Sequence, residues 1–116
     1  MIYMKSITNK LKTLYQALNQ VTGLKAYHYM KPDAVTKSYL VWAEDGENNS
    51  FHSDNSKEEQ TITGYCDYYT QTEFDSMIDS IQECLNGVTG CSWRLEAVQY
   101  EETTKLIHYT WNWELV

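Results

Sequence analysis

Proline and glycine are scarce in this sequence, with one Pro and five Gly among 116 residues. Disordered and fibrous chains are much richer in both residues. Hydrophobic residues make up 42% of the chain and charged residues 22%, which is the composition of an ordinary globular protein. Because a chain of this length builds about one hydrophobic core, we expect a single domain that spans residues 1–116.

The sequence also lacks any stretch close to the ~18 consecutive apolar residues of a membrane-spanning helix. Its N-terminal segment, MIYMKSITNK, has no apolar region of the kind found in a signal peptide. We therefore expect the protein to stay in the cytoplasm in which it is made.

Basic residues are outnumbered, since nine Lys and Arg stand against sixteen Asp and Glu and give a net charge of −7. This balance argues against a general nucleic-acid-binding protein, which needs Lys and Arg to neutralise phosphates. Six of the nine basic residues lie within residues 1–37, together with a single acid, Asp33. Such a division favours head-to-tail association of copies, although two solvated faces of a monomer would give the same pattern.

Sequence motifs for catalysis or for metal binding are missing. The three cysteines are odd in number and form no CxxC pair, which favours reduced, buried thiols over a disulfide framework or a zinc site. His28, His52 and His108 are far apart, and no phosphate-binding or nucleophile motif occurs. Carboxylate clusters such as Glu44 with Asp45 fall at strand ends, where we expect them to be solvated. We predict no catalytic residue, no cofactor and no metal ion.

Two segments have the apolar periodicity of amphipathic helices. In residues 4–21 the apolar positions recur every three or four residues, and three lysines of this region form a predicted basic contact face: Lys5, Lys10 and Lys12. In the second helix, Thr72 and Asp75 have the spacing of a capping box, and a buried stripe is expected from Phe74 to Leu85.

The rest of the chain has the composition of β-strands, with predicted strands at residues 25–30, 38–45, 58–70, 91–101 and 105–115. A slip in apolar parity after Ala97 indicates a bulge. In the last strand, we expect Ile107, Tyr109, Trp111, Trp113 and Leu115 to share one buried face. Strands without repeated helical crossovers predict an α+β fold, with two helices on an antiparallel or mixed sheet in the order α-β-β-β-α-β-β.

A long polar segment, residues 45–57 with the sequence DGENNSFHSDNSK, connects two of these strands. It is longer than a hairpin requires, and loops of this length are commonly functional or disordered. We therefore predict a mobile hairpin loop that becomes ordered on contact with a partner. Its candidate contact residues are Asn48, Asn49, Phe51, His52 and Asp54.

Three blocks of the sequence resemble the small tail terminator, or tail completion, proteins of prophages in low-GC Gram-positive bacteria. They are SYLVWAEDGENNSFHSDN, TITGYCDYYTQTEFDSMIDSIQECLN and SWRLEAVQYEETTKLIHYTWNWEL, and the likeness extends over roughly residues 6–115. These blocks are specific as phrases, but none of them is a chemical motif.

The resemblance implies a non-enzymatic virion protein of α+β fold that forms a homohexameric ring at the head-proximal end of the tail tube. Such a ring stops tube polymerisation and offers a surface for head–tail joining. The implied partners are further copies of the chain, the major tail tube protein and the connector or neck proteins. The subunit is expected to be monomeric when dilute, and to be found in the host cytoplasm during assembly and then in the virion tail.

Two alternatives remain open from the sequence. The first is a head-completion or neck protein, which would bind on the capsid side. The second is a small ferredoxin-like enzyme or ligand-binding domain, in which Tyr and Trp line a pocket and His28 or His108 is the base.

Overall fold

A computed structural model describes residues 6–48, 52–53, 56–57 and 59–116, and gives only the backbone of 52–53 and 56–57. In chain order, the elements are α1 (Ile7–Asn19), β1 (Ala26–His28), β2 (Tyr39–Glu47), β3 (His52–Ser53), β4 (Ser56–Lys57), β5 (Ile62–Thr70), α2 (Met77–Gly87), β6 (Cys91–Glu101) and β7 (Leu106–Leu115).

The main sheet has five strands in the order β1-β2-β5-β7-β6. Its neighbouring strands are antiparallel except β1 and β2, which run parallel to each other, so the sheet is mixed. Residues 29–38 connect β1 to β2 without a helix. The α+β class and the order of the main elements are as the sequence predicts, while β3 and β4 form an additional two-residue hairpin.

Both helices pack on the same face of the sheet, which we call the covered face. Leu14 and Leu18 of α1 and Ile81 and Leu85 of α2 are fully buried there. The largest side chains of this core come from the sheet, and they are Trp42, Trp111 and Trp113. Gly64 makes room for one of them, because a Cβ atom at this position would lie 2.1 Å from the Trp113 ring.

The first helix is shorter than its periodicity predicts. It begins at Ile7, where the Ser6 side chain accepts a hydrogen bond from the Asn9 backbone N–H (3.2 Å) and so caps the helix. It ends at Asn19, two residues before the predicted end. Met4, the first residue of the predicted stripe, lies outside the described residues.

The predicted start of the second helix at Thr72 is wrong, since α2 begins at Met77. The chain turns sharply before it, with Phe74 in the left-handed region at φ 57°. The Phe74 side chain, expected in the buried stripe, is 91% exposed. Asp75 does help to start the helix, because its carboxylate accepts a hydrogen bond from the Met77 backbone N–H (2.9 Å).

The predicted loop at residues 45–57 is wrong at its start, because β2 continues to Glu47 and pairs there with Ile62 of β5. The register of this pair shifts between Glu44 and Gly46, as at a β-bulge. The antiparallel pairing of the two flanking strands is as predicted.

In the C-terminal hairpin, the predicted bulge is confirmed by a register shift between Leu95 and Ala97. Trp111, Trp113 and Leu115 are buried as expected. At the other end of β7 the prediction is wrong, since Ile107 and Tyr109 are only half-buried while Leu106, on the opposite face, is 4% exposed. The helices cover the end of the hairpin near Leu115, so the apolar residues at the far end stay accessible.

Candidate functional site

A groove lies between α1 and the first two strands, on the covered face. Its volume is about 350 Å³, and it is lined by Thr8, Leu11, Lys12, Tyr15, His28 and Trp42, a set that we call the aromatic groove. Tyr15 is half-exposed and its ring centroid lies 6.4 Å from that of Trp42. Trp42 itself is 1% exposed, so the aromatic surface that the groove presents to solvent is mainly that of Tyr15, with the exposed Lys12 among the other lining residues.

The His28 ring is held tightly beside this groove. It stacks between Tyr29 and Trp42, with ring centroids 3.8 Å and 3.9 Å away. Its Nε2 lies 2.7 Å from Glu44 Oε1, and the Tyr29 hydroxyl donates a hydrogen bond to the other oxygen of the same carboxylate. These contacts fix the end of β1 to β2, since the register places His28 opposite Trp42.

Glu44, which the sequence analysis places among solvated carboxylates, is half-buried at this position. Its partial burial raises the pKa of the carboxyl, but the hydrogen bonds from Tyr29 and His28 lower it more, so the net shift of the pKa is downward. The expectation of a solvated cluster is therefore wrong for Glu44, because His28 at the end of β1 and Tyr29 directly after it, sixteen and fifteen residues away in the sequence, hydrogen-bond to its carboxylate.

The opposite face of the sheet, which we call the open face, has a polar network at its centre. Asp67 Oδ1 lies 2.8 Å from His108 Nε2 and accepts a hydrogen bond from the Thr110 hydroxyl (2.7 Å). The His108 ring stacks on Tyr69, at 4.2 Å between centroids, and Tyr69 stacks on Tyr39 at 4.8 Å. Burial, followed by the charge of Asp67, raises the pKa of Tyr69 to about 12, so its hydroxyl is neutral near pH 7.

The second accessible surface lies along β6, an edge strand of the sheet. Three apolar residues of β6 point to the covered face beyond the helices, namely Leu95, Val98 and Tyr100. Leu95 pairs with Trp111 before the bulge, and Val98 and Tyr100 pair with Tyr109 and Ile107 after it. Val98 is 50% exposed and Tyr100 is 60% exposed. An edge strand with exposed apolar side chains is a common site of contact with another chain.

Charge is divided between the two ends of the sheet. Residues 6–43, which include α1 and the β1 edge, carry five lysines and one aspartate. Residues 71–105, which include α2 and the β6 edge, carry seven acidic and two basic residues. β1 and β6 are the outermost strands of the sheet, so the lysine-rich segment around β1 and the acidic segment around β6 flank opposite edges, whereas α1 and α2 pack against each other.

The predicted basic helix face is not a single face. Lys12 lines the aromatic groove, whereas Lys10 lies on the other flank of α1 and donates a hydrogen bond to the Gln60 carbonyl (2.6 Å). Lys10 and Lys12 are two positions apart in the sequence, and the turn of an α-helix places side chains at this spacing on opposite sides of the helix. Lys5 lies outside the described residues.

Few of the predicted loop residues can be placed. Asn49, Phe51 and Asp54 lie outside the described residues, and only the backbone of His52 is described, in β3. Asn48 is exposed and is tied to the sheet, because its backbone N–H donates to the Thr61 carbonyl (2.9 Å) and its side chain donates to Glu114 (2.9 Å). Of these five residues, the structure therefore places only Asn48 and the backbone of His52.

The residues that are most unusual in the structure have no recognisable signal in the sequence. Phe74 and Tyr29 are bulky, exposed residues in the left-handed backbone region, at φ 57° and 72°. The sequence around Phe74, TEFD, signals a helix start through its capping-box spacing and gives no sign of a positive φ. The sequence gives no sign of the aromatic groove either, since its lining residues come from three parts of the chain, α1, β1 and β2.

No protein-family model and no curated protein matches this chain. Among the described residues, no helix is long and apolar enough to cross a membrane. Within residues 6–48, 52–53, 56–57 and 59–116, no group of three or more His, Cys, Asp or Glu side chains could hold a metal ion. The three cysteines are free thiols, of which Cys66 is buried and Cys84 and Cys91 are half-buried.

Proposed function

We propose that this protein is a tail terminator subunit, which forms a homohexameric ring on the head-proximal end of a phage tail tube. The observation that carries the proposal is the difference in charge between the segments around the β1 edge and the β6 edge of the sheet. A ring is built from heterologous contacts, in which one surface of a subunit meets a different surface of the next. A basic edge and an acidic edge on one subunit are complementary in this way.

The β6 edge supports the same proposal. It is eleven residues long and carries exposed Leu95, Val98 and Tyr100 next to acidic residues, so it can bury apolar area on association. In a monomer, such an edge would favour unspecific pairing with other chains. A neighbouring subunit would cover it in the assembled ring.

In this function the protein catalyses no reaction and needs no cofactor. Its partners are other copies of the chain, the major tail tube protein and the connector or neck proteins of the head. The genome passes through the lumen of the ring, and a subunit with net charge −7 does not attract phosphate there. The protein acts in the host cytoplasm during assembly and then in the virion tail.

The test is electron microscopy of virions produced without this protein. We expect overlong tails without heads, because tube growth is not stopped and the joining surface is missing. Supplying the wild-type gene in trans should restore tails of normal length, attached to heads. Tails of normal length joined to heads in the absence of the protein would rule out the proposal.

The same micrographs distinguish the two phage functions. A head-completion or neck protein would leave tails of normal length that are not attached to heads. That result would exclude the terminator proposal and favour the alternative.

A further inference from the structure

Phe74 combines two features that are each unfavourable for an isolated subunit. Its side chain is 91% exposed, and its backbone has φ 57°. An L-residue in the left-handed region costs about 1–2 kcal/mol relative to an ordinary conformation, and Asn or Gly occupies this region at much lower cost. Strain of this kind at an exposed aromatic residue points to a function outside the folding of the subunit.

The turn that carries Phe74 is held by the next residue. The Asp75 carboxylate accepts hydrogen bonds from the Tyr68 hydroxyl (2.7 Å), the Thr70 hydroxyl (2.7 Å) and the Met77 backbone N–H (2.9 Å). The Thr72 backbone N–H also donates to the Thr70 hydroxyl (3.1 Å). Because Tyr68 and Thr70 are buried in the sheet, the turn is fixed to the core and holds the backbone of Phe74 in a defined place at the surface. An exposed aromatic side chain on a fixed turn is a typical anchor of a protein interface.

The aromatic groove has the properties of a receptor for such an anchor. Its volume of about 350 Å³ lies at the lower end of the range of small-ligand pockets, and its walls include Tyr15 and Trp42. The exposed Lys12 belongs to the groove, and the exposed Glu73 directly precedes Phe74. An aromatic side chain with an adjacent carboxylate therefore matches an aromatic groove with an adjacent ammonium group.

We propose that Phe74 of one copy of this chain inserts into the aromatic groove of a second copy, with Glu73 next to Lys12. The inference rests on the proposed ring function and names one contact between its subunits. The anchor and the groove are different surfaces of one chain, so every copy has one of each. The contact is therefore heterologous and continues from copy to copy, which gives a closed ring when the rotation between neighbouring copies closes.

The first test is the self-association of Phe74→Asn, measured by sedimentation velocity on the full chain at concentrations up to about millimolar. We expect the wild-type chain to associate and the variant to associate at least about tenfold more weakly, the effect of losing an interface anchor. The midpoint of thermal unfolding should stay the same or rise, because Asn tolerates the left-handed conformation. Weaker association with unchanged or higher stability is not what a purely structural role of Phe74 would give.

The matched control is Lys105→Asn, which places Asn at another exposed position in the left-handed region, φ 60°. It should relieve similar strain and leave self-association unchanged.

A mixing experiment tests the groove. The Tyr15→Glu variant places a carboxylate where Glu73 of the neighbour approaches, and it should be monomeric by itself. Mixed with Phe74→Asn, it should form a one-to-one dimer and nothing larger, because the mixture contains one intact groove and one intact Phe74 for each pair. A mixture that stays monomeric would overturn the inference.

A wild-type chain that is monomeric up to millimolar concentration, or a Phe74→Asn variant that associates as strongly as the wild type, would also overturn the contact. Neither result affects the proposed ring function. That function fails only if virions lacking the protein have tails of normal length, either joined to heads or without heads.

Discussion

The two faces of the sheet are built from the same strands, but one face is apolar and buried whereas the other has a polar network at its centre. On the covered face, Trp42, Trp111 and Trp113 are at most 1% exposed and pack against both helices. On the open face, Asp67, His108 and Thr110 are half-buried and satisfy one another by hydrogen bonds. Because strand residues alternate between faces, each strand contributes to both environments.

The difference shows where the stability of the subunit arises. Burial of a Trp or Leu side chain contributes about 1.5–3 kcal/mol or more, whereas a hydrogen bond near solvent contributes about 1 kcal/mol net. We therefore expect the covered face to determine whether the chain folds. The open face can vary more without loss of the fold.

Replacing Trp111 by Ala should have the largest effect. The residue is fully buried, and its indole N–H donates a hydrogen bond to Gln82 of α2 (3.1 Å). We expect the free energy of unfolding to fall by about 3–5 kcal/mol, as measured by urea denaturation. Leu95→Ala is the control, because Leu95 lies opposite Trp111 but is 41% exposed, and its loss should be much smaller. Equal effects of the two changes would contradict the comparison.

Asp75→Asn should have an intermediate effect that depends on pH. Partial burial raises the pKa of the Asp75 carboxyl, but hydrogen bonds from Tyr68, Met77 and Thr70 lower it more, so the net pKa lies below its ordinary value of 3.8. A lowered pKa stabilises the fold above the pKa of the unfolded chain, and this contribution is lost as the pH falls through the folded pKa.

We expect Asp75→Asn to lower the free energy of unfolding by about 2 kcal/mol at pH 7, the scale of hydrogen bonds to a charged group. The difference from the wild type should shrink as the pH falls below about 4. Asp79→Asn, an exposed change in the first turn of α2, is the matched control and should show a smaller difference at neutral pH. A difference for Asp75→Asn that stays constant down to pH 2 would show that its charge does not matter.

Asp67→Ala should have the smallest effect of the three. The change removes the partner of His108 and Thr110 on the open face, but water can reach both groups because they are half-buried. We expect a loss of about 1 kcal/mol in the free energy of unfolding. Asn112→Ala, an exposed change on the same face of β7, should stay within about 0.5 kcal/mol of the wild type. A loss as large as that of Trp111→Ala would show that the open face is part of the core.

The sequence predicts the elements well where a single periodicity dominates. Alternation in β7 identifies Trp111, Trp113 and Leu115 as buried, and the parity slip after Ala97 locates a bulge that the structure has between Leu95 and Ala97. Prediction fails where partners distant in sequence decide the outcome. Phe74 fits a helical stripe in the sequence. The Asp75 carboxylate, however, accepts hydrogen bonds from the buried Tyr68 and Thr70, so the chain makes a turn at Phe74 and the helix begins after it.

The candidate site is the least predictable part for the same reason. The aromatic groove combines Lys12 and Tyr15 of α1 with His28 and Trp42 of two strands, and only the packing of α1 on the sheet brings them together. Lys10 and Lys12 look equivalent in the sequence, but Lys10 lies on the other flank of α1, where it donates a hydrogen bond to the Gln60 carbonyl.

The sequence by itself determined the α+β class, the main elements and the concentration of lysines in the first third of the chain, because these follow from local periodicity and composition. Only the tertiary structure decided that β1 lies parallel to β2 and that β1 and β6 are the outermost strands, which places the lysine-rich segment around β1 and the acidic segment around β6 at opposite edges of the sheet. It alone decided that Phe74 is exposed and Glu44 half-buried, since both depend on contacts between segments that no local pattern encodes.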